Sequence, residues 1–490
     1  MTAPTPPSPY TGFDRMLIAG EWRAGSSSSP LVDADPYTGE TVTELLLADH
    51  SDADAAYRAA KEAQRAWART APGERAAVFE RAARIIGERQ AEIVNWLVRE
   101  AGATPDRAAV EVGIVQAITA ASVGYTEDVM VTTPSMVPDK ENRVYRRPAG
   151  VVTVISPWNW PLWLTNRSVA PALALGNAVV IKPAEDTPVT GGLILAKIFE
   201  EAGLPAGLLS VVVGRGSEVG DFMVAHEVPR VISFTGSTRV GKGIITKAGI
   251  KRLSLELGGN GPLVVLDDAD LDRAVECAVF GSYYHQGQIC MATNRVIVDA
   301  SVYDEFVERF VEQARALKVG DPRDPGTQVG PIISQRQFGT VKDKIERAVA
   351  GGGRLVLSGE AQGPTGLVLP PHVVLGDNTV ATAAEEVFGP VATLIRATDE
   401  EDALRIANDT DAGLSSGVFT QDVDRGLNFA LRVEAGMTHI NDTTVHDDVN
   451  IAFGGEKASG LGRFGGHWVT EEFTTQHWVS IQHKPRPLTY

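Results

Sequence analysis

Only two of the 490 residues are cysteine, Cys277 and Cys290. At most one disulfide can form, so no disulfide framework holds the fold, and a reducing compartment is expected. Long apolar runs are also missing: no stretch approaches the ~18 apolar residues needed to span a bilayer. Met1 to Gly12 is rich in Pro, Ser and Thr without an apolar centre, so no secretory signal is expected there. Cations are in deficit. The 45 Lys and Arg face 62 Asp and Glu, and the net charge of −17 disfavours nucleic acid and anionic membrane as partners. The nine histidines show no metal-ligand spacing beside cysteines or acids, and the nearest candidate, His446-Asp447-Asp448, reads as a solvated loop. No metal is expected. What is present, 43% hydrophobic and 22% charged residues, describes a soluble globular chain with ample core. Its length allows about three domains. A cytoplasmic enzyme is the expectation.

The proline-rich start reads as a loose tail. Met16 to Arg23 reads as a short strand, followed by a turn at Ser26 to Ser29. Ser51 and Asp52 are N-cap candidates for a helix through Trp67, ended by Pro72-Gly73. Val78, Ala82, Ile85, Ile86, Ile93 and Leu97 keep helical spacing in the next segment, with Gly102 as C-cap. Met130 to Arg147 breaks into short β-prone pieces around Pro134, Pro138 and Asp139, which fits a projecting hairpin or an ordinary surface loop. From Val151 the pattern becomes regular. Strands at 151–155, 178–181, 209–213, 231–234 and 253–257 alternate with helices near 164–175, 190–202, 217–225 and 237–248. Such alternation predicts right-handed βαβ units and a parallel, doubly wound sheet. A second alternating series runs from Pro262 to about Asn441, with strands at 262–266 and 295–298 and helices near 270–284 and 302–317. Two tandem α/β domains enclose a crevice, a usual place for an active site.

The two cysteines differ in setting. Cys277 lies in a helical apolar run and reads as a small buried hydrophobe. Cys290 lies in Gly287-Gln288-Ile289-Cys290-Met291-Ala292, among small turn-forming residues. Thirty-four residues upstream, Leu255-Glu256-Leu257-Gly258-Gly259-Asn260 places a carboxylate between apolar residues at a strand end. A thiol is a strong nucleophile only as thiolate, and a carboxyl in an apolar pocket can exchange protons near neutrality. Glu256 ends the first α/β series and Cys290 belongs to the second, so both are expected at the crevice. Asn159, beyond the first strand and between two tryptophans, is a turn former or an amide donor to an oxyanion. Gly236-Ser237-Thr238-Arg239-Val240-Gly241 follows a strand and opens a helix, which suits either pyrophosphate binding or a plain tight turn.

Seven stretches together resemble the aldehyde dehydrogenase superfamily. They are Pro157-Trp158-Asn159-Trp160-Pro161, Lys182-Pro183-Ala184-Glu185, Phe234-Thr235-Gly236-Ser237, Leu255-Glu256-Leu257-Gly258-Gly259, Gly287-Gln288-Ile289-Cys290, Glu385-Glu386-Val387-Phe388-Gly389-Pro390 and Phe453-Gly454-Gly455-Glu456-Lys457-Ala458-Ser459-Gly460. They run in the family's order and spacing across nearly the whole chain. The resemblance implies a Cys290 nucleophile, Glu256 as base for thioester hydrolysis, and an oxyanion held by Asn159 and the Cys290 N–H. It implies NAD as cofactor, with NADP less favoured. Lys182 and Glu185 would hold the adenosine ribose, where a carboxylate repels a 2′-phosphate. Glu386 would bind the nicotinamide ribose with Phe388 packed beside it. Ser156, Pro157, Trp158, Gly236, Ser237, Val240, Leu257 and Gly258 complete the implied cofactor set. Arg239 departs from the family, where many relatives carry an acid. A CoA-acylating relative would generally lack the acid at Glu256, and a catalytically dead scaffold protein would tend to lose Cys290.

The resemblance also implies domains: 1–128 with 149–258 for NAD binding, 259–465 for catalysis, and an oligomerisation arm from 129–148 with 466–490. A homodimer or homotetramer follows from it. Four stretches resemble the benzaldehyde and vanillin dehydrogenases: 167–177, 286–291, 444–448 and 462–466. That branch usually has Pro where Ala452 stands and Val where Glu456 stands. An aromatic aldehyde is therefore the expected substrate, with a broad-specificity aliphatic or semialdehyde dehydrogenase as the alternative reading. Trp160, Trp163 and Tyr284 flank the catalytic motifs and either wall a flat pocket, with Ile289 and Phe453, or only pack the core. Arg167 is expected to meet a ring substituent or a nearby acid.

Overall fold

The computed structural model describes residues 8–488. Its centre is a six-stranded sheet in the order Gly460–Leu461, Arg252–Glu256, Val231–Thr235, Val151–Ile155, Ala178–Lys182, Leu209–Val211. Five of these strands run parallel. They are buried on both faces, which is why their sequences are nearly unbroken runs of Val, Ile and Leu. The chain builds outward from Val151–Ile155 to one side, then returns to add Val231–Thr235 on the other. That reversal opens a crevice at the carboxyl ends of these two strands, the usual ligand position in such sheets. Gly460–Leu461, expected within the second domain, instead closes the edge of this first sheet antiparallel to Arg252–Glu256.

The second sheet has seven strands: Arg354–Leu357, His372–Gly376, Val391–Ala397, Thr293–Asp299, Gly261–Val265, Ser415–Phe419 and Met437–Ile440. All neighbours but the first pair are parallel. The chain leaves the first sheet at Glu256 and enters the second at Gly261. This short link brings the end of one sheet against the other. A β-carbon on Gly259 would collide with the Cys290 carbonyl oxygen, so the close approach requires glycine there.

A third sheet pairs Lys140–Pro148 with both Met130–Thr133 and Thr474–Gln482. The expected hairpin is present, and the C-terminal strand is its third member.

Helices cover the first sheet. His50–Trp67 is capped by Asp49 in a reciprocal capping box with Asp52, not by Ser51 or Asp52. Pro72 opens the next helix, Pro72–Glu88, where its missing N–H costs nothing. Gln90–Ala101 ends at Gly102, whose φ of +62° is the left-handed stop expected there. Two short hairpins, Met16–Ile18 with Glu21–Arg23 and Pro30–Ala34 with Thr41–Leu46, precede them; the second of these was not read from the sequence.

Helix Pro105–Ala121 was not anticipated either. With the following turn it forms a segment, Pro105–Thr126, long and apolar enough to cross a bilayer by length and composition alone. The expectation that no stretch approaches that threshold is therefore corrected. In this fold it packs against Pro72–Glu88 and Pro161–Ala174 and carries a buried ion pair, Arg107 with Glu111. The helix Pro161–Ala174 is buried along its whole length, and it carries Trp163 and Arg167.

Candidate active site

Cys290 follows a turn that the sequence did not announce. His285, Gln286 and Gly287 all have positive φ, at 49°, 56° and 66°. For the two non-glycine residues this conformation costs on the order of 1–3 kcal/mol each and persists only when surroundings enforce it. Here they do. The His285 ring nitrogen Nε2 lies 2.8 Å from the Asn159 carbonyl oxygen. Gln286 Nε2 donates to the Pro331 carbonyl at 2.9 Å, and Gln288 Oε1 accepts from the Ile333 N–H at 3.0 Å. A β-carbon at Gly287 would strike the Gly389 carbonyl. The loop that carries Cys290 is thus pinned on both sides.

Glu256 is buried at the end of its strand, and neither carboxyl oxygen has a hydrogen-bond partner among the described residues. Burial raises its pKa to about 8, against the pull of the Arg167 and Arg463 guanidinium groups. Cys290 is only partly exposed. Burial pushes its thiol up to about 12, while Arg167 pulls it down and Glu256 and Glu386 push it further up. The two groups therefore lie within electrostatic reach of each other, with Arg167 facing both. At neutral pH the thiol holds its proton and needs a base at the moment of attack.

Asn159 is buried, and its amide donates to the Gln288 carbonyl oxygen at 2.9 Å. Its own carbonyl accepts from Arg107 as well as lying against His285. Glu111 takes the other side of this clamp: it pairs with Arg107 and accepts from the Leu162 and Trp163 N–H groups at 2.9 and 3.0 Å.

Most of the residues read as cofactor-binding follow the carboxyl ends of first-sheet strands, while Glu386 and Phe388 come from the turn before strand Val391–Ala397 of the second sheet. Ser156 N–H donates to the Lys182 carbonyl at 3.1 Å, and Gly236 N–H to the Glu256 carbonyl at 2.9 Å, which locks the strand ends together. Ser237 caps helix Thr238–Lys247 through the Val240 N–H at 3.4 Å, and Val240 and Arg239 stand exposed in its first turn. Lys182 is buried, which lowers its pKa to about 8, and its ammonium donates to the Pro183 carbonyl at 3.2 Å. Glu185 accepts from the Gly216 N–H at 3.1 Å. Leu257 N–H donates to the Ser459 carbonyl at 2.8 Å, and Gly258 N–H to Thr238 Oγ1 at 3.2 Å. Glu386 accepts from the Gly259 N–H at 3.0 Å, and burial lifts its pKa to about 7. Phe388, at a φ of +56°, packs edge-on to Trp158 at 5.2 Å, beside Pro157 in the sequence.

The three rings meet, with Trp160 5.3 Å from Trp163 and 6.0 Å from Tyr284, but they do not wall one cavity. Trp163, Arg167 and Phe453 line one narrow cavity, with Tyr125, Asp447 and Phe464. Trp160 does not line it. Its ring is sealed between the Arg107 guanidinium at 3.8 Å and the edge of Trp163 at 5.3 Å. Tyr284 stacks on Phe280 at 4.6 Å and faces a different cavity of about 560 Å³, shared with Arg107 and Cys277. Ile289 packs into the core. The single flat pocket walled by Trp160, Trp163 and Tyr284 is thus corrected: adjacency in sequence did not give side-chain direction. Of the departures, Glu456 pairs with Arg463, one of the two cations that act on Glu256. Cys277 is buried, its pKa raised to about 11.

A doubly wound sheet with a switch-point crevice, joined to a second sheet that presents a thiol beside a buried carboxyl, defines a nicotinamide-dependent oxidoreductase. The aldehyde dehydrogenase family model matches residues 22–479, and the chain belongs to that family. It is 50% identical to a vanillin dehydrogenase of Corynebacterium glutamicum, over 96% of this chain and 99% of that protein. It is 46% identical to a benzaldehyde dehydrogenase of Bacillus subtilis, over 98% and 99%. The crystal structure of an NAD-dependent benzaldehyde dehydrogenase from Corynebacterium glutamicum superimposes with a TM-score of 0.88, at 46% identity and 98% coverage of each chain.

Proposed function

We propose that the protein oxidises an aromatic aldehyde to its carboxylic acid with NAD, using Cys290 as nucleophile and Glu256 as base. The observation that carries this reading is the meeting of two sheets. One ends in a buried carboxyl with no partner for either oxygen among the described residues, and the other presents a thiol within its electrostatic reach. Glu256, poised near neutrality, takes the thiol proton as sulfur adds to the aldehyde carbon. The Cys290 N–H and the Asn159 amide, which lies one hydrogen bond from the nucleophile loop, receive the oxyanion. NAD, when bound, supplies the acceptor for the hydride that leaves the carbon. The acyl group then rests on Cys290 as a thioester; Glu256, having passed the thiol proton to solvent, deprotonates the attacking water, and hydrolysis releases the acid with Cys290 as the leaving group.

The residues present fit the cofactor. The free N–H groups of helix Thr238–Lys247 open at the switch-point crevice and suit a pyrophosphate. Lys182 and Glu185 offer an ammonium and a carboxylate for the adenosine ribose, and Glu386 a carboxylate for the second ribose. Gly258 leaves room that a β-carbon would take from Glu386. The six-stranded sheet and its helices are assigned to NAD binding and the seven-stranded sheet to catalysis. The three-stranded arm is assigned to assembly with further copies, in a cytoplasmic homodimer or homotetramer.

The test is NADH absorbance over benzaldehyde, vanillin, acetaldehyde, hexanal and betaine aldehyde, with and without CoA. Benzaldehyde-type substrates should show the highest kcat/KM, independent of CoA. Cys290→Ala should abolish turnover. Glu256→Gln should slow thioester hydrolysis, so that an acyl-enzyme accumulates and is detectable by mass spectrometry. An aliphatic or quaternary-ammonium aldehyde winning the comparison would remove the aromatic assignment, and near-normal turnover in either variant would remove the residue roles.

A further inference from the structure

Asn159 is held twice by the loop that leads to Cys290. His285 Nε2 lies 2.8 Å from the Asn159 backbone carbonyl oxygen. A carbonyl only accepts, so Nε2 carries the ring proton and donates it. The Asn159 side-chain Nδ2 donates in turn to the Gln288 carbonyl oxygen at 2.9 Å. The two bonds run in opposite directions between the same two loops. Together they fix both the place of Asn159 and the rotation of its amide. An amide carries two N–H groups, so the one met by Gln288 leaves a second, and Gln288 stands two residues before Cys290. His285 keeps its position at a cost. Its φ of 49° is left-handed, the residue is 3% exposed, and Nδ1 meets no partner among the described residues. Burial, and then the Arg107 guanidinium, hold the ring's pKa well below its ordinary value, so the neutral ring has a single N–H to give. A side chain that is strained, sealed and left with an unmet nitrogen, yet makes one hydrogen bond, is kept for that bond.

We propose that His285 is a positioning residue for the oxyanion, setting Asn159 so that its second amide N–H faces the carbonyl under attack at Cys290. This rests on the roles given above to Cys290 and Asn159, and adds the group that aligns them. Arg107 donates to the same Asn159 carbonyl, but from helix Pro105–Ala121, so it fixes the donor to the surrounding helices and not to the nucleophile. His285 ties the donor to the loop that carries the sulfur. Donor and nucleophile are then one unit, aimed where charge develops and needing no rearrangement during attack. Without that bond the aldehyde still enters and the fold stands, while the step that places charge on the oxygen slows.

Three variants separate the bond from the backbone. His285→Gln returns an Nε2 donor at a similar reach, so it can still meet the Asn159 carbonyl. His285→Asn suits left-handed backbone better, but draws its amide back by one carbon. His285→Leu has no donor. NADH formation is followed in a single turnover, with NAD saturating and enzyme in excess over the best-used aldehyde of the panel above. His285→Asn and His285→Leu should slow it by at least about tenfold, since a whole oxyanion donor is worth about 10²–10³ in rate. His285→Gln should recover most of that loss. The enzyme concentration giving half the maximal rate should move by no more than about twofold, because only the transition state loses a contact. His285→Asn should melt no lower than His285→Gln, so stability and rate rank the two oppositely. In Asn159→Ala, which removes the donor itself, adding His285→Leu should cost no more than about twofold further. Rates that follow melting temperature, a parental rate in His285→Leu, or a full further loss in the Asn159→Ala background overturns the proposal and leaves the roles of Cys290 and Asn159 standing. An unchanged rate in Asn159→Ala overturns both.

Discussion

Glu256, proposed as the base, would couple catalysis to stability in one side chain. Its pKa rises from 4.5 to about 8 because burial disfavours the carboxylate more than Arg167 and Arg463 favour it. Between those two values the folded protein holds a proton that the unfolded chain has released. Stability from this group is therefore full below pH 4.5, falls as pH rises, and is lost once pH passes about 8. Glu256→Gln cannot ionise. Its melting temperature should gain on the parent from about pH 5 to about pH 8 and level off above that, by calorimetry, even as turnover falls. A constant difference across that range would mean that Glu256 is not held neutral. Glu185 offers a second test at this scale. Its carboxylate is oriented by the Gly216 N–H at the sheet end, where a 2′-phosphate would meet like charge. The parent should show higher kcat/KM with NAD, and Glu185→Gln should narrow the gap to NADP. Better use of NADP by the parent, or an unchanged gap in the variant, would contradict this placement.

At the scale of elements, the loop carrying Asn159 is held by a helix that the sequence reading passed over. Helix Pro105–Ala121 supplies Arg107 and Glu111, both fully buried, which clamp the Asn159 carbonyl and the first N–H groups of Pro161–Ala174. Breaking such a pair strands a buried charge and costs about 3–5 kcal/mol. Glu111→Gln should lower the melting temperature and, because Asn159 loses its backing, reduce kcat more than it changes KM. A variant with parental stability and kcat would show that the clamp is dispensable. The same elements explain what could be read in advance. The parallel strands were legible because burial on both faces writes itself as unbroken Val and Ile runs between glycines and prolines. Helix Pro105–Ala121 was not, because its buried face carries Arg107, Glu111 and Thr119 while its exposed face carries Val110, Gly113 and Ala117, so no apolar stripe stands out against a polar one. Cys290, Glu256 and Asn159 stood out through their motifs and strand-end positions. The left-handed turn at His285 and Gln286 left no signal, since it is imposed by bonds to Asn159, Pro331 and Gly102 far away in sequence. Tyr284 and Trp160 were assigned to the wrong wall because sequence adjacency carries no side-chain direction.

For the whole molecule, the three-stranded sheet stands outside the two large ones and poses a problem of edges. Its central strand, Lys140–Pro148, is satisfied on both sides, over nine residues by Thr474–Gln482 and over four by Met130–Thr133. The two outer strands each keep one unpaired edge. Met130–Thr133 is exposed throughout, with Met130 46% and Val131 53% accessible, and Trp478 on the opposite strand is 64% accessible. Soluble proteins blunt such edges with charge, proline or a covering element. Here β-branched and aromatic residues lie open, so a further copy of the chain is the expected cover, joining strand to strand or face to face. Light scattering at micromolar concentration should return a multiple of the chain mass. Val131→Lys and Trp478→Lys, which add charge at exposed positions without touching either large sheet, should shift the distribution toward smaller species while a single cooperative melt persists. A parent that scatters as one chain, or an assembly unmoved by both substitutions, would remove the arm from the interface and leave the catalytic reading untouched.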